Sequence, residues 1–195
     1  MDPIKVRRYG FFGIVAPVVG FIVIIAAILS APWFNWWRNA LSDLGETGLS
    51  ALIFNNGLKI TAFLMGVFAL GLREIADDDK LGLTSFGLFL LGAISLLGIG
   101  VFPITERPYH WYFSVAFFVF MPLTLFSYAV YLYRGGLQNL GKMSVGMGLV
   151  AVLIWIPRWD GVAIPETISA LAYAFWAQFL GVLMIQTPID EEEAS

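Results

Sequence analysis

Apolar residues fall into six long runs separated by short polar or Pro/Gly-containing stretches. The runs cover approximately Phe11–Ser30, Ala51–Leu72, Leu81–Phe102, Trp111–Tyr133, Met143–Ile156 and Pro165–Gln186. A helix needs roughly 17 to 25 apolar residues to cross a hydrocarbon core of about 30 Å. The pattern therefore predicts six spanning helices, of which the fifth is the shortest. The separators Ala31-Pro32, REIADDDK, PITERP, RGGLQNLGK and PRWDG combine helix breakers with charge. The predicted fold is all-α, a polytopic transmembrane bundle of six helices forming a single transmembrane domain over residues 1–195. Lys5, Arg7 and Arg8 precede the first run as they would in a signal peptide. That run exceeds a typical signal core, and no A-x-A site followed by a soluble domain comes after it, so it is read as a helix.

Composition agrees with this pattern. Hydrophobic residues make up 59% of the chain and charged residues 13%, against about 25% charged in soluble domains. So much apolar surface cannot be hidden inside a fold of this size and must face lipid. With the N-terminus inside, Lys5, Arg7, Arg8, Arg73, Lys80, Arg134 and Lys142 fall on the inner side, and only Arg38, Arg107 and Arg158 on the outer. That asymmetry predicts a multi-pass protein of the cell membrane with both termini cytoplasmic. The net charge of −3 comes largely from Asp77–Asp79 and Glu191–Glu193. There is no basic footprint for nucleic acid, so the expected partners are membrane lipids; the sequence leaves the oligomeric state open. The chain has no cysteine and a single histidine, which excludes disulfides, thiolate sites and three-histidine zinc centres. No metal and no cofactor are expected.

The predicted topology gathers the chemically interesting residues on the outer side. The connection RNALSDLGETG, residues 38–48, follows an aromatic belt of Trp33, Phe34, Trp36 and Trp37. Ser42 and Asp43 within it admit two uses. They cap the second helix by accepting backbone N–H groups, and Asp43 forms one wall of a polar mouth with His110 or Arg158. His110 opens the fourth helix, where the dipole disfavours its protonation. There it serves either as an interfacial anchor or as a base or headgroup ligand. Glu106 lies in the preceding connection. Asn55 and Lys59 share a face of the second helix at i,i+4. At a rise of about 1.5 Å per residue Lys59 sits near mid-depth and is expected to point into the bundle. Glu166 follows Pro165 at the start of the last helix, an ordinary helix opening or a further pocket residue. The predicted binding set is Ser42, Asp43, Asn55, Lys59, Glu106, His110, Arg158 and Glu166; no catalytic residue is assigned. Glycines in helices three and five predict close helix packing.

Three elements carry a resemblance: NALSDLG (39–45), IFNNGLKITAFLMGVFALGL (53–72) and GVFPITERPYHWYFSVAFFVF (100–120). In this order and spacing the chain resembles the DUF nine-nine-eight family of uncharacterised prokaryotic integral membrane proteins, from the first helix to the last. The resemblance implies a six-helix bundle of about this length. It also implies that Ser42, Asp43, Asn55, Pro103 and His110 occupy the family's characteristic polar positions. The family often has an apolar residue where Lys59 stands, and arginine where Thr167 follows Glu166. The order of polar loop and helix is also similar to that of the Frag1/DRAM/Sfk1 group of eukaryotic six-helix proteins, which implies a link to membrane lipid organisation.

Three functions follow as expectations. The first is a protein binding a lipid or lipid headgroup in a polar pocket at the outer mouth of the bundle. The second is a metal-independent membrane hydrolase or transferase acting on lipid, with Ser42, His110 and Asp43 as its triad. Ser42 and Asp43 are adjacent in one loop, so the orienting acid would have to reach the far side of the imidazole. The third is a small-solute transporter or channel using Lys59. It lacks an inverted repeat and a polar line through any one helix.

Overall fold

The computed structural model of the chain describes residues 1–188; the acidic patch Glu191–Glu193 lies outside them. Six helices follow one another: α1 (Pro3–Leu29), α2 (Gly48–Ala76), α3 (Lys80–Val101), α4 (Tyr109–Arg134), α5 (Gln138–Leu153) and α6 (Ala163–Ile185), with a 3₁₀ turn at Leu41–Gly45 between the first two. All but α5 are long and apolar enough to cross a membrane. With 16 residues, α5 is the shortest. Helix α1 extends past its predicted apolar run at its start and α2 at its finish, into charged flanks. Asp2 caps α1 by accepting the Ile4 and Lys5 amides, and its own N–H donates to Glu74 of α2 at 2.7 Å. Asp79 caps α3 through the Leu81 and Gly82 amides, both at 2.9 Å. The fifth helix is displaced toward the N-terminus from the predicted 143–156. Its first turn takes in polar QNLGK, and it ends four residues before Pro157, which disfavours helix in the residue ahead of it.

Each helix packs on its neighbours in sequence, and α6 returns to α1, so the six form a closed ring. Large apolar side chains such as Ile22, Leu29, Leu52, Phe63 and Phe175 stand more than half exposed on its outside, as a lipid-facing surface requires. Helices gain little from apolar burial when lipid is the alternative, so close packing of small residues holds them. At the end where α1 starts and α6 finishes, here the terminal end, a Cβ on Gly181 would lie 2.6 Å from the Gly10 carbonyl oxygen. Hydrogen-bonded polar pairs tie two further seams. Ser85 Oγ donates to Ser127 Oγ at 2.8 Å, and Trp176 Nε1, fully buried, donates to Ser144 Oγ at 2.9 Å. An aromatic chain fills the middle of the bundle. Phe68 meets Phe89 at 5.5 Å, Phe89 meets Trp176 at 6.0 Å, and Trp176 meets Tyr128 at 5.4 Å between ring centroids.

The glycines give a paired prediction. Gly181→Ala forces the α1 and α6 backbones apart and should cost about 1–3 kcal/mol. Gly66, with nothing within 4 Å of its added Cβ, should stabilise α2 by about 0.5–1 kcal/mol when changed to Ala. Thermal unfolding in one detergent compares the two; equal shifts would contradict the packing described.

Candidate functional site: a lidded intramembrane cavity

The stretch 38–45 folds over the end of the ring where α2, α4 and α6 begin, here the loop end. Its 3₁₀ turn packs on α1, α2 and α6. Leu41 and Leu44 point inward and are buried. Three hydrogen bonds between distant parts of the chain fasten this lid. The Ala163 amide donates to the Asn39 carbonyl at 2.9 Å. The Leu41 amide donates to Glu166 Oε2 at 2.6 Å, and Asn55 Nδ2 donates to the Gly45 carbonyl at 3.0 Å. Gly161 makes the docking possible, because a Cβ there would lie 2.3 Å from the carbonyl carbon of Arg38. Trp37 and Trp159 add an aromatic contact across the same seam at 6.5 Å.

Under the lid lies a cavity of about 130 Å³. Every helix except α5 contributes to its wall, at helical spacing: Ala16, Gly20 and Ile24 from α1, and Ser114, Phe117 and Met121 from α4. The wall is apolar for most of its length, and Phe68 and Phe89 form the floor. Polar groups are few. Ser42 of the lid, Glu166, Ser114, Thr61 and Tyr173 line it. Thr61 Oγ1 is already bonded to the Gly57 carbonyl at 2.9 Å. Tyr173 is 4% exposed, and its hydroxyl has no hydrogen-bond partner among the described residues. No lysine, arginine or histidine lines the cavity. No cluster of metal-ligating side chains occurs among the described residues.

The predicted binding residues divide accordingly. Ser42 and Glu166 meet in the cavity. Asp43 and Asn55 build the lid: Asp43 Oδ2 accepts the Ala40 amide at 3.0 Å and Asn39 Nδ2 at 2.9 Å. The expected cap on the second helix is corrected by this geometry. Asp43 caps the 3₁₀ turn instead, while Thr47 precedes α2 without a side-chain bond. Two turns of chain separate Asp43 from the amides it was expected to cap, and the turn's own N–H groups are nearer.

The remaining predicted residues lie elsewhere. His110, 6% exposed, places Nδ1 2.8 Å from the Phe102 carbonyl and joins the end of α3 to the start of α4; its Nε2 has no partner among the described residues. Lys59 is half-buried, with its stem at the α2–α3 seam beside Gly100. Among the described residues the one ion pair is Lys5 with Asp2, at 3.2 Å. Glu106 and Arg158 are exposed on the loop end.

Sequence reasoning passed over Ser114, Ala170 and Tyr173. A signal was present for the last two. Glu166, Ala170, Tyr173, Ala174 and Ala177 follow i, i+4, i+7, i+8 and i+11, one continuous stripe of α6 that faces the cavity. Glu166 marks the stripe, and its small residues leave the space.

A ring of apolar helices with lipid-facing surfaces and a lidded internal cavity defines a multi-pass helical membrane protein. The chain belongs to the family described as protein of unknown function (DUF998), which it matches over residues 14–183. Neither a curated protein nor a solved structure matches it.

The lid contact gives the next prediction. Glu166→Ala strands the buried Leu41 amide, a loss of about 1–3 kcal/mol, whereas the amide oxygen of Glu166→Gln still accepts it. Hydrogen exchange at Leu41 should quicken strongly in the alanine variant and little in the glutamine variant. Equal protection in all three proteins would show that the bond does not hold the lid.

Proposed function

We propose that the protein binds a lipid-like hydrophobic ligand within the bilayer, in the cavity beneath the lid. The observation that carries this reading is the cavity's wall: long apolar sides from five helices, with Ser42 of the lid and the Glu166 carboxyl at one end. An apolar occupant fills a space of about 130 Å³ that the side chains leave open. The polar end of this pocket draws on Glu166, Ser42 and Ser114, while Asp43, His110 and Arg158 do not line it. The basic residues on the loop-end connections are few, which supports placing the lid on the outer side of the cell membrane.

The other readings have less behind them. A Ser42–His110–Asp43 triad needs the imidazole bonded to both partners, but Nδ1 is engaged by the Phe102 carbonyl and Asp43 by the lid's own N–H groups. Transport needs a path past the aromatic floor of Phe68, Phe89 and Trp176.

Native mass spectrometry of protein extracted gently from membranes tests the proposal. A retained hydrophobic ligand is expected, lost when Ala170→Phe fills the cavity and kept in Arg158→Ala. Absence of any bound species, or equal retention in both variants, would count against the cavity as its site.

A further inference from the structure

On the lipid-facing side of the ring, α1 and α6 are separated by an apolar groove lined by Val18, Ile22, Ile25, Leu171 and Phe175, among others. Pro17, Phe21 and Ala174 line both this groove and the internal cavity. One layer of side chains therefore divides the cavity from lipid at this seam. The same two helices are tightly closed nearer the terminal end. There a Cβ on Gly10 would lie 2.8 Å from the Gly181 carbonyl oxygen, and one on Gly13 would lie 2.9 Å from that of Ala177. The glycines stop short of the groove. Pro17, with no backbone N–H to give the helical ladder, sits where the tight contact ends.

Size and polarity restrict what the cavity takes. A cavity of about 150 Å³ lined by aliphatic and aromatic side chains accepts a molecule the size of benzene, so about 130 Å³ holds a head and a few carbons and no more. The rest of a long chain has to leave, and the lid is pinned shut at the loop end. The polar lining holds one carboxyl, three aliphatic hydroxyls and a tyrosine hydroxyl, with no cation to match an anionic head. A hydroxyl head complements it by donating to the Glu166 carboxyl, whose Oε2 accepts the Leu41 amide.

Building on the proposed ligand-binding role, we infer that the ligand is a single-chain amphiphile with an uncharged hydroxyl head, which enters from the bilayer through the seam between α1 and α6. The head rests beside Glu166. The chain passes Pro17, Phe21 and Ala174 and lies in the outer groove. The lid acts as the roof of the site, not its door.

A long-chain alcohol carrying a diazirine near its hydroxyl, added to the full-length protein in lipid nanodiscs, tests this. Photolabel on peptides containing Ser114 or Tyr173 is expected. Ala174→Trp, which narrows the seam, and Leu171→Trp, which touches only the groove, should each slow labelling on the order of tenfold. Elution as a single monodisperse species confirms that each variant is folded, and Leu171→Trp keeps the test valid should Ala174→Trp misfold. Cavity labelling at an unchanged rate in a folded seam variant overturns lateral access while leaving the ligand-binding role in place. A fatty acid of equal length competing as well as the unlabelled alcohol overturns the choice of head. Wild-type protein without label in the cavity overturns the ligand-binding role itself.

Discussion

A backbone N–H buried beneath the surface of a membrane protein must find an acceptor, and that of Leu41 finds one 125 residues away, in the carboxyl of Glu166. This bond decides where the loop between α1 and α2 lies. With Leu41 held, Leu44 drops into the ring and Asn55 reaches the Gly45 carbonyl. The Asn39 carbonyl then meets Ala163 across Gly161. A loop that joins two helices is thereby bound to the first turn of the last one, and the ring acquires a roof. Glu166 serves two purposes at once, since it also lines the cavity that the roof encloses.

The two halves of the bundle solve different problems. Toward the terminal end, glycines on α1 and α6 bring backbones together, and Phe68, Phe89, Trp176 and Tyr128 occupy the space between helices. Lipid offers apolar side chains no less than the interior does, so this half depends on shape and on a few internal hydrogen bonds such as that of Trp176 with Ser144. Toward the loop end the inward stripe of α6 carries Ala170, Ala174 and Ala177 alongside Glu166 and Tyr173. That small-residue stripe leaves a void that tight packing would otherwise remove.

Helix number and membrane character were readable from the apolar runs alone, because the period and length of such runs answer directly to the bilayer. Helix ends were less so. Glu74 and Gln138 continue helices into polar sequence, where hydropathy carries no signal. Of the residues read from the sequence, Ser42 and Glu166 both line the cavity, but that depends on a contact between the first helical connection and the start of the last helix that no local pattern encodes. Lys59 attracted attention as a mid-depth charge. Its stem packs at the α2–α3 seam because Gly100 leaves room there, and that vacancy is a property of the neighbouring helix. Asp43 was read as a helix cap by its position before α2; the intervening 3₁₀ turn, stabilised by its own Asp43–Ala40 bond, takes the side chain first.

The account rests on a lid that Glu166 keeps closed over the cavity. With no cysteine in the chain, a single Ser42→Cys substitution supplies a reporter whose thiol lies on the cavity side of the lid. The direct measurement is its rate of modification by a water-soluble, membrane-impermeant maleimide, with and without Glu166→Ala. A closed lid predicts slow modification in the first protein and a rate on the order of tenfold higher in the second, the shift produced by losing about 1.4 kcal/mol of closure. Fast modification of the reporter with Glu166 intact, or the same rate in both proteins, would contradict it.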